Sequence, residues 1–155
     1  MNPVPSLPAG RIAGVDYGRR RIGVAICDAA RILASPLCVH VTGGDREADA
    51  IFFRKLVATE EIAGFVVGLP VHADGKTSEM SAEAERFGRW LAETTSLPVT
   101  FHDERYSSHA AAGLLAGSGL SRGRKKERSD AVAAQVVLAA WLEATRSPPP
   151  NPLAP

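Results

Sequence analysis

The chain has 155 residues, 45% hydrophobic and 23% charged, which is the composition and size of one ordinary globular domain. Eighteen Lys and Arg balance seventeen Asp and Glu for a net charge of +1, so overall charge advertises neither a nucleic acid nor a membrane surface, and any such signal must be local. Two cysteines, Cys27 and Cys38, are too few for a disulfide scaffold, no apolar run reaches the length of a membrane span, and Met1–Gly10 lacks the features of a signal peptide, so a cytoplasmic protein is expected.

Residues 1–10 carry three prolines and read as a flexible N-terminus, while 147–155 form a proline-rich disordered tail. The folded domain is expected over 11–146. It opens with Arg11–Asp16, a strand that ends in an acid. Arg21–Asp28 reads as the next strand, joined to the first by a tight link suited to a hairpin. Ile32–Val41 reads as a third, and Pro36 assigns it to an edge. Asp45–Glu61 is expected to be a helix with Ile51, Phe52, Leu56 and Val57 on its apolar stripe. Gly64–Leu69 is a continuous apolar run, as in a strand buried on both faces. A loop over Gly68–Ser78 then leads to a helix over Ser78–Thr95, with Ser78 as its cap and Phe87, Trp90 and Leu91 on one side. The free N–H groups at that helix start suit a phosphate. The Gly75-Lys76-Thr77 inside the loop is not a P-loop, because Pro70 stands where the first glycine is needed. Pro98–His102 is another short strand. Helices over Ser107–Leu115 and Ser129–Ala144 complete the order. Three antiparallel strands followed by alternating helices and strands predict an α/β fold, a mixed sheet with helices on its faces.

Three positions carry chemistry. Asp16 ends a buried strand, where a carboxylate is poorly solvated and needs a cation or several donors; its bland reading is a turn cap. Asp103 and Glu104 follow the last strand, where sites gather in alternating α/β sheets. Consecutive residues point to opposite faces, so one of the two at most can serve a given site. Asp130 is expected at the start of the last helix, on the face of Ala134, Val137 and Trp141. Its bland reading is a first-turn acid favoured by the helix dipole. The lone histidines His72 and His102 carry no catalytic signal. Taken together, Asp16, one of Asp103 and Glu104, and Asp130 are expected to converge at one edge of the sheet. Converging carboxylates repel unless a cation neutralises them, and all-oxygen ligands suit Mg²⁺ or Mn²⁺. Such a centre hydrolyses phosphodiesters. Basic residues fit that substrate: Arg19, Arg20 and Arg21 beside Asp16, and Arg122, Arg124, Lys125, Lys126 and Arg128 just before Asp130. Gly117–Arg128 is expected to be a flexible loop without substrate.

These pieces match a known pattern. Gly14-Val15-Asp16-Tyr17-Gly18 with Arg21-Ile22-Gly23-Val24-Ala25 and Asp28, Val66-Val67-Gly68-Leu69-Pro70, Asp103-Glu104-Arg105, and Ser129-Asp130-Ala131-Val132-Ala133-Ala134 occur in order over roughly 11–145. In this the chain resembles the YqgF (RuvX) family of bacterial pre-16S rRNA nucleases, relatives of Holliday-junction resolvases. The resemblance implies an RNase H-like fold, a five-stranded mixed sheet of order 3-2-1-4-5. It also implies metal-dependent hydrolysis at Asp16, Asp103 or Glu104, and Asp130, with Asp16, Glu104 and Asp130 as ligands and Arg105 among the nucleic-acid contacts. The implied role is maturation of the 5′ end of 16S rRNA on a pre-ribosomal particle. Arg19-Arg20 stands where the family commonly has a Lys or Thr-Lys, and Tyr106 departs from the family's Leu; both changes are minor. Branched DNA is the alternative substrate, and a resolvase of that kind acts as a homodimer, whereas the rRNA reading allows a monomer. A non-catalytic RNA-binding assembly module is a further alternative. An actin-like or sugar-kinase ATPase is a poor one, since such enzymes need two RNase H-like domains.

Overall fold

The computed structural model describes residues 7–70, 79–104 and 122–145. Five strands form one sheet: β1 (Arg11–Asp16), β2 (Arg21–Cys27), β3 (Ala34–Val41), β4 (Ile62–Leu69) and β5 (Val99–Asp103). Among the described residues three helices accompany them: α1 (Arg46–Glu60), α2 (Glu79–Thr95) and α3 (Arg122–Thr145). The strand order is β3-β2-β1-β4-β5, the order expected for an RNase H-like sheet. β1 pairs antiparallel with β2 and parallel with β4; β2 pairs antiparallel with β3, and β4 parallel with β5. Among the described residues no helix is long and apolar enough to cross a membrane.

Pro36 does lie on an edge strand. It faces Ala25 where the β2–β3 register shifts, a place where a missing N–H costs no regular ladder bond.

Side chains alternate along each strand, and each parity builds its own core. Ala13, Val15, Ile22, Val24, Phe65 and Val67 face α1 and α2. Ile12, Ala25, Cys27 and Val66 face Ala134, Val137, Leu138 and Trp141 of α3. Burial of both faces explains the unbroken apolar run of β4.

α1 begins at Asp45, whose side chain accepts from the N–H groups of Glu47 and Ala48. Phe52, Leu56 and Val57 of the expected stripe pack against the core, but Ile51 does not. Ile51 is 61% exposed, and the fully buried Phe53 takes its place among Phe65, Phe87 and Trp90. At about 100° per residue, Ile51 lies roughly 200° from Phe53 and cannot share its face. Asp49, on the same helix, is also buried, and is satisfied by His40 Nε2 at 2.7 Å and by the Thr42 hydroxyl, which donates at 2.8 Å. This polar cluster ties α1 to the end of β3.

α3 also corrects an expectation. The segment expected to be a loop as far as Arg128 is helical from Arg122 onward, and Asp130 is the ninth residue of that helix rather than its start. Arg, Lys and Glu are good helix formers, and Gly123 falls in the first turn where it costs little, so the charged run extends the helix. The dipole effect fades within one turn, which removes the first-turn reading of Asp130. The predicted cap Ser78, the helix over 107–115 and residues 117–121 lie outside the described residues.

Candidate active site

β1, β4 and β5 run parallel, so their C-terminal ends share one edge of the sheet. Asp16 is the last residue of β1, and Glu104 immediately follows the end of β5. Asp16 has the parity of Ile12, which packs towards α3. Asp103 ends β5 opposite Leu69, with the parity of Val99 and Phe101, which pack on the α1–α2 side. Glu104 has the other parity and is the acid that meets Asp16.

β4 separates the two strands, and Glu104 reaches across it over Gly68. A Cβ on Gly68 would lie 2.5 Å from Glu104 Oε1 and 2.8 Å from Cδ. Gly68 is a residue of the site to which the sequence reading gave no role, counting it within the apolar strand, the loop after it and the family pattern. The available signal was a glycine inside an apolar strand, which marks the close approach of another group. Gly68→Ala is expected to push the Glu104 carboxylate off Asp16 and to lower turnover about tenfold or more. Because the colliding atoms are the far end of a flexible side chain, stability should fall by less than about 1 kcal/mol. A cleavage assay beside a melting curve checks both, and unchanged turnover would show that Glu104 is not held by this contact.

Asp16 and Glu104 are hydrogen-bonded through their side chains, which favours the protonated form of Asp16. Burial pushes the Asp16 carboxyl up to about 9, reinforced by the hydrogen bond to Glu104 and by the charges of Glu104 and then Asp130. Beside them, burial lowers the imidazole of His102, against the opposing pull of Asp103 and Glu104.

Asp130 approaches from α3. Helix and sheet touch at Gly23, where a Cβ would lie 2.0 Å from the Asp130 carbonyl oxygen. Gly23 pairs with Asp16 across β1–β2, so this contact sets the Asp130 backbone next to the end of β1. The Asp130 side chain forms an ion pair with Arg21, whose Nε lies 3.2 Å from Oδ2. Asp16, Glu104 and Asp130 thus gather at one place, as expected. In the arrangement present, however, no three His, Cys, Asp or Glu side chains among the described residues are disposed to enclose an ion. The charge of Asp130 is instead balanced by the guanidinium of Arg21.

The basic residues are distributed unevenly. Arg19 donates to Glu83 on α2 at 2.9 Å, a partner the sequence reading did not foresee. Arg20 is exposed on the same turn. Arg21 is engaged by Asp130. The backbone of Arg122, Arg124, Lys125, Lys126 and Arg128 lies on α3 ahead of Asp130, with their side chains outside the description. Arg105 and the expected phosphate loop 71–78 lie outside the described residues.

The family described as "RuvX: Holliday junction resolvase" matches residues 10–144. The chain belongs to the RuvX family. Members of similar sequence include a Rhodopirellula baltica protein, 51% identical over 137 residues that cover 88% of this chain and 79% of the relative. A Neisseria gonorrhoeae relative is 42% identical over 137 residues, covering 88% and 90%. Both carry the name "Putative pre-16S rRNA nuclease". Among solved structures, the fold is shared with Thermus thermophilus RuvC in complex with a Holliday junction substrate, at a TM-score of 0.55 and 14% identity, covering 87% of this chain and 94% of that one. It is shared too with the yeast mitochondrial Holliday junction resolvase, at a TM-score of 0.51 and 10% identity, covering 89% and 80%. This is an RNase H-like fold, and the RuvX chain is a nuclease of the phosphodiester-hydrolysing class.

Proposed function

We propose that this RuvX protein is a metal-dependent nuclease that trims the 5′ end of pre-16S rRNA during ribosome assembly in the cytoplasm. The observation that carries the chemistry is the meeting of Asp16 and Glu104, from two strands separated by a third, with Asp130 beside them. Burying carboxyls against one another is unfavourable, and a fold does so where a cation is to be held. Their donor set is all oxygen, which fits Mg²⁺ or Mn²⁺. Asp16 and Glu104 would hold the ion, with Asp130 alongside; when bound, it supplies charge neutralisation at the scissile phosphate and a more acidic water. Asp16 must ionise for this, which couples the site to pH. Gly68 and Gly23 keep the three acids together, and Arg20 and the basic turns of α3 would draw the backbone of the nucleic acid towards them.

The rRNA substrate is supported by the names of the relatives at 51% and 42% identity. A branched DNA substrate is supported by the family's description alone. The deciding experiment offers the full chain a pre-16S leader RNA and a four-way DNA junction, each with and without Mg²⁺ or Mn²⁺. Metal-dependent cleavage of the RNA near the mature 5′ end is expected. Cutting of the junction alone, in symmetric pairs by a dimer, would replace this substrate with the other, and RNA binding without cleavage at any metal concentration would indicate an assembly module. Millimolar Mn²⁺ is further expected to raise the melting temperature, by an amount equivalent to about 1.4 kcal/mol when the ion is at ten times its Kd. A melting temperature insensitive to the ion would count against the metal.

A further inference from the structure

This inference deepens the metal-nuclease reading above and rests on it. Arg21 opens β2 with the same parity as Gly23, so both face α3. Its Nε lies 3.2 Å from Asp130 Oδ2, an ion pair. The pair stands close enough to Asp16 for the Asp130 charge to act on the Asp16 carboxyl. Asp130 is therefore compensated by a cation that belongs to the chain.

The side chains of Arg21 and Asp130 are 31% and 27% exposed, so solvent partly screens the pair although the Oδ2 facing Arg21 is buried. A guanidinium offers the same planar fork of donors to a phosphate as to a carboxylate. A phosphate of the nucleic-acid backbone arriving at this edge and the Asp130 carboxylate would compete for one group. We propose that Arg21 is a positioning residue that holds Asp130 out of the ion site until a substrate phosphate takes the guanidinium. The freed Asp130, no longer neutralised, then completes the oxygen ligands around the ion. Substrate binding and tight ion binding become coupled, and by linkage each strengthens the other. A free enzyme of this kind does not assemble its full hydrolytic centre away from its substrate.

The test is a double-mutant cycle read in ion binding without nucleic acid. Mn²⁺ affinity is measured by calorimetry on the full-length wild type, Asp130→Asn, Arg21→Gln and the double variant, with melting curves to confirm folding. With Arg21 present, Asp130→Asn is expected to change the Mn²⁺ Kd less than about twofold, because Asp130 is already engaged. Arg21→Gln is expected to tighten Mn²⁺ binding, and in that background Asp130→Asn should weaken it about tenfold or more. Removing charge alone would give Asp130→Asn the same factor in both backgrounds, and that equality would overturn the proposal. If Arg21→Gln fails to fold, Arg21→Lys substitutes for it, since an ammonium keeps the charge but loses the fork; a smaller shift in the same direction is expected, and none would overturn the proposal. If none of the folded proteins binds Mn²⁺, the metal reading itself falls and this inference falls with it.

Discussion

Asp16→Asn is expected to abolish cleavage, lowering turnover about a thousandfold or more, while the melting temperature in metal-free buffer rises. The two effects have one origin. The Asp16 carboxyl is buried, touches Glu104 and feels Asp130. Each of these penalises the charge that hydrolysis would need. An amide in its place carries no charge and donates an N–H to Glu104. The sign with pH follows from the raised carboxyl. In the unfolded chain Asp16 loses its proton near 3.8, in the folded chain near 9. The folded state therefore binds the extra proton across that window, and wild-type stability falls as pH rises through it. Asp16→Asn lacks this slope, so its advantage in melting temperature should grow from pH 4 towards pH 9, to on the order of 1 kcal/mol or more near neutrality. Melting curves across pH, with a chelator present, measure it. A pH-independent difference, or an Asn variant that still cleaves, would make Asp16 a turn cap and remove it from the site.

Gly23→Ala should be the most damaging substitution of a single hydrogen by a methyl group among the described residues discussed above. The new Cβ would meet backbone, not a side-chain tip: 2.0 Å from the Asp130 carbonyl oxygen and 2.4 Å from its carbon. Backbone within a helix cannot swing aside, so α3 must lift from β2 as a body. That opens the core formed by Ala25, Cys27, Ala134 and Val137. The expected cost is on the order of 3 kcal/mol, at the upper end of what overpacking produces. Whatever remains folded should hold Asp130 farther from Asp16 and cleave poorly. Chemical denaturation compared with the wild type tests this. A loss under about 0.5 kcal/mol would mean that α3 rides more loosely on the sheet than this contact requires.

Local pattern was enough to place the strands. β1 was legible residue for residue, because an apolar run closing on Asp16 before a tight turn has few other readings. Pro36 announced an edge because a proline can donate no ladder bond. The three acids were legible as well, since a carboxylate at a strand end or beside a buried helix face demands a partner wherever it lies. The alternation rule narrowed Asp103 and Glu104 to one of the two, and only the parity of β5 beside β4 chose Glu104.

Other features depended on groups far apart in the chain. Ile51 and Phe53 look equally apolar in sequence; the aromatic cluster of Phe65, Phe87 and Trp90 decided which of them is buried. The charged run before Asp130 has the composition of a loop, yet its residues favour helix, and α3 carries that helix out ahead of the sheet. Gly23 and Gly68 have no evident role in sequence until the groups that need their space are seen, a helix carbonyl in one case and a carboxylate in the other. Arg21 carries a positive charge in any sequence reading. That this charge is spent on Asp130 follows only from the helix lying against β2, because an ion pair between residues more than one hundred positions apart is set by packing and not by local sequence.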